Sequence, residues 1–493
     1  MNLYSLFLKS FNKNKKIVFN NEEVSYSLFK ENINAFASHL EDKNIKKVAI
    51  FSSNPKLLAA ALFACAKEGK IIITLNKNLL FKQINLQLKL TKPDLIIIDK
   101  INTIKKLRYY KKFINENDVL KTNKNKLVKN KKSKNFLKKD FIITLSSGTT
   151  SEPKPIIYDQ KTKYLRFLQM RSIYKIKSND DIFSVSPLDH SLGQRLLFLA
   201  LLNGSNFIFL NRYDLIKIKK YSSKFKLKFS SLSSNYLILL KKNLLNKSVV
   251  IKKIVSAAST LPDYEKKVLI ENGVNLYEMY GAAEIGTVTN INFNKSRNLV
   301  GSVGKILKNI DIKIVNEKNQ FLNKGMIGEI VCKTPLKFKG YYNNKKLTKK
   351  SFVGKYFKTG DIGKLDNKNN LYFLSRKQDV IISGGKNIYP IDIEKELLKL
   401  RYIKEVAVIG LKDKFFGEVV FAICVTKSSQ LNIENRIKKD LSLKISTFQM
   451  PLGFAFVKKL PKNNLGKIKK YLLRKKYNEK KFDFTKNLRR ILN

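Results

Sequence analysis

The stretch YFKTGDIGKLDNKNNLYFLSRKQDVIISGGKNIYPIDIE, residues 356–394, decides the fold because two kinds of chain meet in it. It opens with YFKTGDIGKL and NLYFLSR, two strand-like segments joined by an Asn-Lys-Asn-Asn turn at 367–370. A further strand, DVIIS, bends at Gly384 and Gly385. The segment after Pro390, IDIEKELLKL, has a helical pattern. Upstream, from about residue 300, DIKIVNE and GEIVCKT are strand-turn units of the same kind as the opening pair. Downstream, VAVIGLKD, VVFAICVTK and FAFVKKLPKNNLGKIKKYLLRKK complete a small α+β unit. The change of character near residue 377 predicts a domain boundary there.

Toward the N-terminus the pattern is different again. VAIFSS, IIITL, LIIID, FIITLSS and NFIFL are short apolar runs that read as buried parallel strands. Segments such as SLFKENINAFASHL and QRLLFLALL read as the helices between them. This alternation predicts doubly wound α/β layers. Residues 121–139, KTNKNKLVKNKKSKNFLKK, are low-complexity and predict a solvated loop before the strand FIITL.

The 493 residues, 43% hydrophobic, suffice for more than one packed domain. The formal charge is +60, from 98 Lys+Arg against 38 Asp+Glu. Lysine supplies most of the excess, Asn, Ile, Phe and Tyr are abundant, and Trp is absent, as in an AT-biased coding sequence. If the charge serves a partner, the candidates are phosphates: nucleotides, coenzyme A, an acidic carrier protein, anionic lipid or nucleic acid. The basic residues are scattered and no nucleic-acid motif appears, so nucleic acid is not expected.

Other chemistries are excluded by what is scarce. Cys65, Cys332 and Cys424 lie far apart, which fits a reducing compartment and disfavours a zinc site. The start, MNLYSLFLKSFNKNKK, has too short an apolar core for a secretory signal. The longest apolar run, LLAAALFACA at 57–66, is too short to span a bilayer. A soluble, cytoplasmic protein is expected, with peripheral membrane contact as its only route to lipid. Of the two histidines, His39 falls on a helix face, which leaves His190 alone for a Ser-His-Asp hydrolase, and no Gly-x-Ser-x-Gly elbow is present. The loop LSSGTTSEPKP at 145–155 exposes small and hydroxylated residues beside Lys154, as a phosphate nest does, yet it is not a Walker loop.

Five stretches in order resemble the adenylate-forming superfamily of acyl- and aryl-CoA synthetases, luciferases and peptide-synthetase adenylation domains. They are LSSGTTSEPKP, SPLDHSLG (186–193), YGAAEIG (280–286), residues 356–394, and LPKNNLGKI (460–468). The resemblance runs from about residue 20 to 475. It implies an α/β fold with a large N-terminal domain of doubly wound subdomains plus a β-barrel-like subdomain, residues 1–376. A small, mobile α+β domain follows, residues 377–493, with its hinge near Gln378. The implied cofactors are ATP, Mg²⁺ and coenzyme A as co-substrate.

The resemblance also implies roles. Ser146, Ser147, Gly148, Thr149 and Thr150 would cradle the β- and γ-phosphates of ATP, with Lys154 adding charge. Ser151 and Pro155 stand where the family has glycine, and both stiffen the loop. Tyr280 would stack on adenine, beside Gly281, and Glu284 would ligate Mg²⁺; the plainer alternative for Glu284 is a surface acid. Ala283 replaces the usual threonine, a lost hydrogen bond worth about 0.5–1.5 kcal/mol. Asp361 would accept from both ribose hydroxyls, helped by Arg376; the plainer alternative is a surface ion pair. Gly384, Gly385 and Lys386 would border the pantetheine path, or form a plain hairpin turn. Lys467 would be the adenylation lysine, with Lys469 as the alternative.

SPLDHSLG resembles the Pro-Leu-x-His-x-x-Gly of coenzyme A ligases, placing His190 at the acyl pocket; a core histidine is the alternative. Asp189 keeps an amino-acid-activating reading open. Gly281 follows Tyr280 where acetate-specific relatives carry a bulky aromatic, so an acid larger than acetate is expected, fatty or aryl. The function implied is acyl-AMP formation followed by thioester formation with coenzyme A. The alternatives are loading of a phosphopantetheine carrier protein and a degenerate nucleotide-binding homologue.

Overall fold

The structure is a computed structural model that describes residues 1–76, 79–99, 107, 112–119, 135–145, 154–257, 261–299, 301–427, 432–462 and 466–480. Four of the five apolar runs pair in one seven-stranded sheet. Lys47–Phe51 lies between Ile71–Thr74 and Leu95–Ile98, and Ile71–Thr74 pairs with Asp140–Leu145, all parallel. Pro155–Asp159 then runs antiparallel to Asp140–Leu145, and Gly340–Tyr341 adds to its far side. The phosphate-nest loop is the connection between Asp140–Leu145 and Pro155–Asp159. Its residues Ser146, Ser147, Gly148, Thr149, Thr150 and Ser151 lie outside the described residues, as do 121–134 of the Lys/Asn-rich stretch.

The apolar run at 57–66 is the middle of the helix Pro55–Glu68, in which every residue from Leu57 to Ala66 is buried. Asn54 caps it by accepting from the amides of Lys56 and Leu57, Pro55 presets its first turn, and Gly69 ends it in the left-handed region. A helix apolar on all sides belongs between layers, and this one packs on the helices Leu3–Lys9 and Tyr26–Ser38. Among the described residues no helix is long and apolar enough to cross a membrane.

The second sheet has fourteen strands. Its parallel half runs from Leu276–Ala282 through Lys253–Ala257, Leu227–Ser233, Asp181–Ser184 and Phe207–Phe209 to Lys16–Phe19. Its other half is antiparallel: Gly286–Asn292, Gly304–Ile306, Asn370–Arg376, Tyr356–Leu365, Gly328–Lys333 and Asp311–Val315. The strand-turn unit expected as barrel-like is therefore continuous with the second doubly wound sheet. NFIFL, the fifth apolar run, belongs to this sheet.

A separate five-stranded sheet forms the small unit, built on the long antiparallel pair Ile403–Asp413 and Gly417–Thr426. The amphipathic helices Pro390–Lys399 and Ile433–Ser442 bury one face of it, and Lys470–Asn478 the other. Between the units the chain passes through the single turn Lys377–Asp379, in which Gln378 is exposed.

Candidate active site

A cavity of about 680 Å³ lies where the two units meet. From the large unit it is lined by Tyr280, Gly281, Asp361 and Arg376, and from the small unit by Gly466 and Lys467. Five of the residues singled out in the sequence thus converge: Tyr280, Gly281, Asp361, Arg376 and Lys467.

The strand Tyr356–Leu365 explains Asp361. Its side chains alternate between buried and half-buried along its whole length, and Asp361 falls in the inward row with Phe357, Thr359, Gly363 and Leu365. A carboxylate thus occupies a position that strand periodicity reserves for an apolar residue, and it is 2% exposed. Its cross-strand neighbour is Arg376, whose Nη1 stands 2.9 Å from Asp361 Oδ1. The Tyr280 hydroxyl donates to Asp361 Oδ2 at 2.6 Å. Burial pushes the Asp361 carboxyl up, against the pull of Arg376, Tyr280 and Lys467. Asp361 Oδ1 meets Arg376 as an ion pair yet accepts no hydrogen bond within the protein. A buried oxygen of this kind calls for a donor from a ligand, such as a sugar hydroxyl.

Lys467 enters from the loop between Lys462 and Ile468, which pair across it. The loop is tied to the large unit where Asn235 Nδ2 donates to the Gly466 carbonyl at 3.0 Å. Burial, and then the neighbouring Arg376, bring the Lys467 amine down to about 8. Lys469, its alternative, caps the last helix and does not line the cavity. Lys470 does line it, and is paired with Glu394 at 2.7 Å.

Glu284 and Lys154 come together on a second set of contacts. The Tyr341 hydroxyl donates to Glu284 Oε1 at 3.2 Å, and Lys154 Nζ stands 5.7 Å from the Tyr341 ring centre. Tyr341 is held opposite Ile156, two residues past Lys154, by strand pairing. Glu284 is therefore on the same side of the molecule as Lys154. Among the described residues no cluster of three His, Cys, Asp or Glu side chains exists. A lone carboxylate fits Mg²⁺, which keeps several waters and shares phosphate oxygens.

Other expected residues sit elsewhere. His190 caps the helix Ser191–Leu201, its Nε2 3.3 Å from Asn76 Nδ2 and 3.9 Å from Asp189 Oδ2, and it does not line the cavity. Gly193 of the same motif is explained by space: a Cβ there would lie 2.2 Å from the Pro187 carbonyl oxygen. Gly384, Gly385 and Lys386 form an exposed hairpin turn away from the cavity, with Lys386 Nζ 4.6 Å from the Phe448 ring centre. Gly281 has a reason besides pocket size, since a Cβ would meet the Gly286 carbonyl oxygen at 1.9 Å across a bulge. Ala283 presents its carbonyl, which accepts from Tyr158 and Arg166.

Fold and crevice together define the class of two-lobed adenylating enzymes. The chain belongs to the AMP-binding enzyme family, whose profile matches residues 9–342, followed by the AMP-binding enzyme C-terminal domain at 392–467. It is 26% identical to a 2-succinylbenzoate–CoA ligase of Listeria monocytogenes over 475 residues, covering 94% of this chain and 97% of the relative. It is 24% identical to a long-chain-fatty-acid–CoA ligase of Mycobacterium tuberculosis, covering 69% and 68%. ATP-bound MatB from Rhodopseudomonas palustris superposes with a TM-score of 0.88 at 22% identity, over 97% of this chain and 99% of that one.

Proposed function

We propose that the chain is an ATP-dependent carboxylate–CoA ligase acting on an acid larger than acetate, fatty or aryl as in its CoA-ligase relatives. The observation that carries the reading is the convergence of Lys467 from the small unit with Asp361, Arg376 and Tyr280 from the large unit. Asp361 and Arg376 bind the ribose and Tyr280 faces the base. Lys154 and the loop before it hold the terminal phosphates. Mg²⁺ on Glu284, when bound, offsets phosphate charge. In the first step the substrate carboxylate attacks the α-phosphorus, forming acyl-AMP and releasing pyrophosphate. Lys467 neutralises charge there, and positioning supplies much of the rate. In the second step the thiolate of coenzyme A attacks the acyl carbon and AMP leaves.

The small domain spans 377–493 and turns about Gln378 between the steps. An exposed single turn needs only to absorb dihedral change. The turn withdraws Lys467 and brings Gly384, Gly385 and Lys386 to the thiol path. His190 borders the acyl end. The compartment is the cytoplasm, in keeping with three buried free cysteines. Single-turnover assay of Lys467→Ala tests the assignment. Acyl-AMP formation collapses while thioester formation from synthetic acyl-AMP survives; the reverse pattern refutes it.

A further inference from the structure

Glu284 stands on the turn between the strands Leu276–Ala282 and Gly286–Asn292. Side chains on such a turn ordinarily move more than those of the strands it joins. This turn is tied down at three points. The Ala283 carbonyl accepts from the Tyr158 hydroxyl and from Arg166 Nη2, both at 2.8 Å. The Glu284 carbonyl accepts from the Phe338 amide at 2.7 Å. The Glu284 carboxylate accepts from the Tyr341 hydroxyl at 3.2 Å.

Arg166 joins these ties into one bracket. It is 3% exposed, on the inward face of the helix Gln160–Ile173. Besides holding Ala283, its Nε and Nη2 donate to the Leu336 carbonyl at 3.1 and 2.8 Å. Leu336 opens the run 336–342, which supplies both the Phe338 amide and Tyr341. The same run is stitched to the strand that follows Lys154: Tyr341 pairs opposite Ile156, and the Tyr342 amide donates to the Pro155 carbonyl at 2.8 Å. One guanidinium therefore fixes the turn that carries Glu284 against the run that grips its carboxylate. An apolar residue would pack this inward helix face at less desolvation cost. The Tyr158 ring, centred 4.9 Å from the guanidinium carbon, offsets part of that cost. What arginine adds is a rigid fork that reaches two carbonyls at once. Burial, and then the charge of Glu284, push the Tyr341 hydroxyl up, so it stays protonated and donates.

We propose that Arg166 and Tyr341 are positioning residues for Glu284: the bracket they close fixes the carboxylate that would ligate Mg²⁺, so metal affinity depends on two side chains that do not ligate it. The inference rests on the ligase reading and deepens its Mg²⁺ assignment. The test is Mg²⁺ titrated into the full chain in excess over ATP, followed by calorimetry, with ATP binding in EDTA measured alongside. In Tyr341→Phe, which keeps the ring beside Lys154, the Mg²⁺ concentration that half-saturates the ATP-bound chain rises about 10-fold, as when the group orienting a metal ligand is removed. ATP binding in EDTA stays within two-fold of wild type. Arg166→Met shifts Mg²⁺ the same way, and Arg166→Lys, which lacks the fork, recovers only part of the loss. Tyr341→Phe carries the test should Arg166→Met melt early. An unchanged Mg²⁺ requirement in Tyr341→Phe, or an equal loss of ATP affinity with and without the metal, overturns the proposal. Mg²⁺ uptake that Glu284→Gln leaves intact, or no uptake by the ATP-bound wild type, strikes the metal assignment and the bracket's role with it. A wild-type chain that binds ATP in neither condition refutes the ligase reading itself.

Discussion

Asp361→Asn isolates the part of the crevice that the structure defines best. The substitution keeps the shape and the hydrogen bond from Tyr280 (2.6 Å), but removes the charge that faces Arg376 at 2.9 Å. Breaking a fully buried pair costs about 3–5 kcal/mol. Arg376 is 34% exposed, so solvent screens part of the loss, and about 1–3 kcal/mol is expected. In a chain of this size that lowers Tm by only a few degrees. Nucleotide binding loses more than stability does. Hydrogen bonds to a charged group contribute about 1.5–3 kcal/mol each, and in the proposed reading the ribose makes such bonds with the carboxylate. The KM for ATP therefore rises about 10- to 100-fold, while the KM for the acid changes little. The assay is acid-dependent pyrophosphate release at varied ATP, with a thermal melt alongside. A KM for ATP within two-fold of wild type, with an unchanged melt, would refute the reasoning.

Other outcomes follow from single contacts. In the proposed role Lys467 acts as a cation, and burial brings its amine down to about 8, so kcat/KM for adenylation is expected to be flat below that pH and to fall as pH rises through it; bound triphosphate would raise the amine, so kcat falls at higher pH. Lys467→Arg removes the fall. Gly281→Ala forces a methyl against the Gly286 carbonyl at 1.9 Å and lowers stability by about 1–3 kcal/mol, read by denaturant midpoint. Asn235→Ala frees the Gly466 carbonyl and slows acyl-AMP formation about 2- to 10-fold, leaving thioester formation from synthetic acyl-AMP unaffected in a stopped-flow comparison.

What could be read from the sequence followed how strongly each residue declared its surroundings. The parallel strands were legible because a strand covered on both faces has no polar alternation to confuse it, as in Leu95–Ile98, buried at every position. Asp361 was legible by its motif, and the strand geometry gives the reason. Lys467 was legible only through resemblance, since Gly-Lys is commonplace among 98 basic residues. The same abundance hid the burial of Lys163 and Arg166 on the helix Gln160–Ile173. Their signal was position: Lys163, Arg166, Phe167 and Met170 share one helix face, where a buried stripe should be apolar throughout. The reason for Gly281 depends on a carbonyl five residues away across a bulge, which no local pattern reports. The tie between Asn235 and Gly466 joins residues 231 positions apart and was equally invisible.

The central claim is that this crevice adenylates an organic acid before any thiol is involved. Exchange of labelled pyrophosphate into ATP by the full chain tests it most directly. The account predicts exchange that requires the acid and ATP, proceeds without coenzyme A, and is lost in Lys467→Ala. Exchange that needs coenzyme A, or none at high enzyme concentration across a series of fatty and aryl acids, would contradict it.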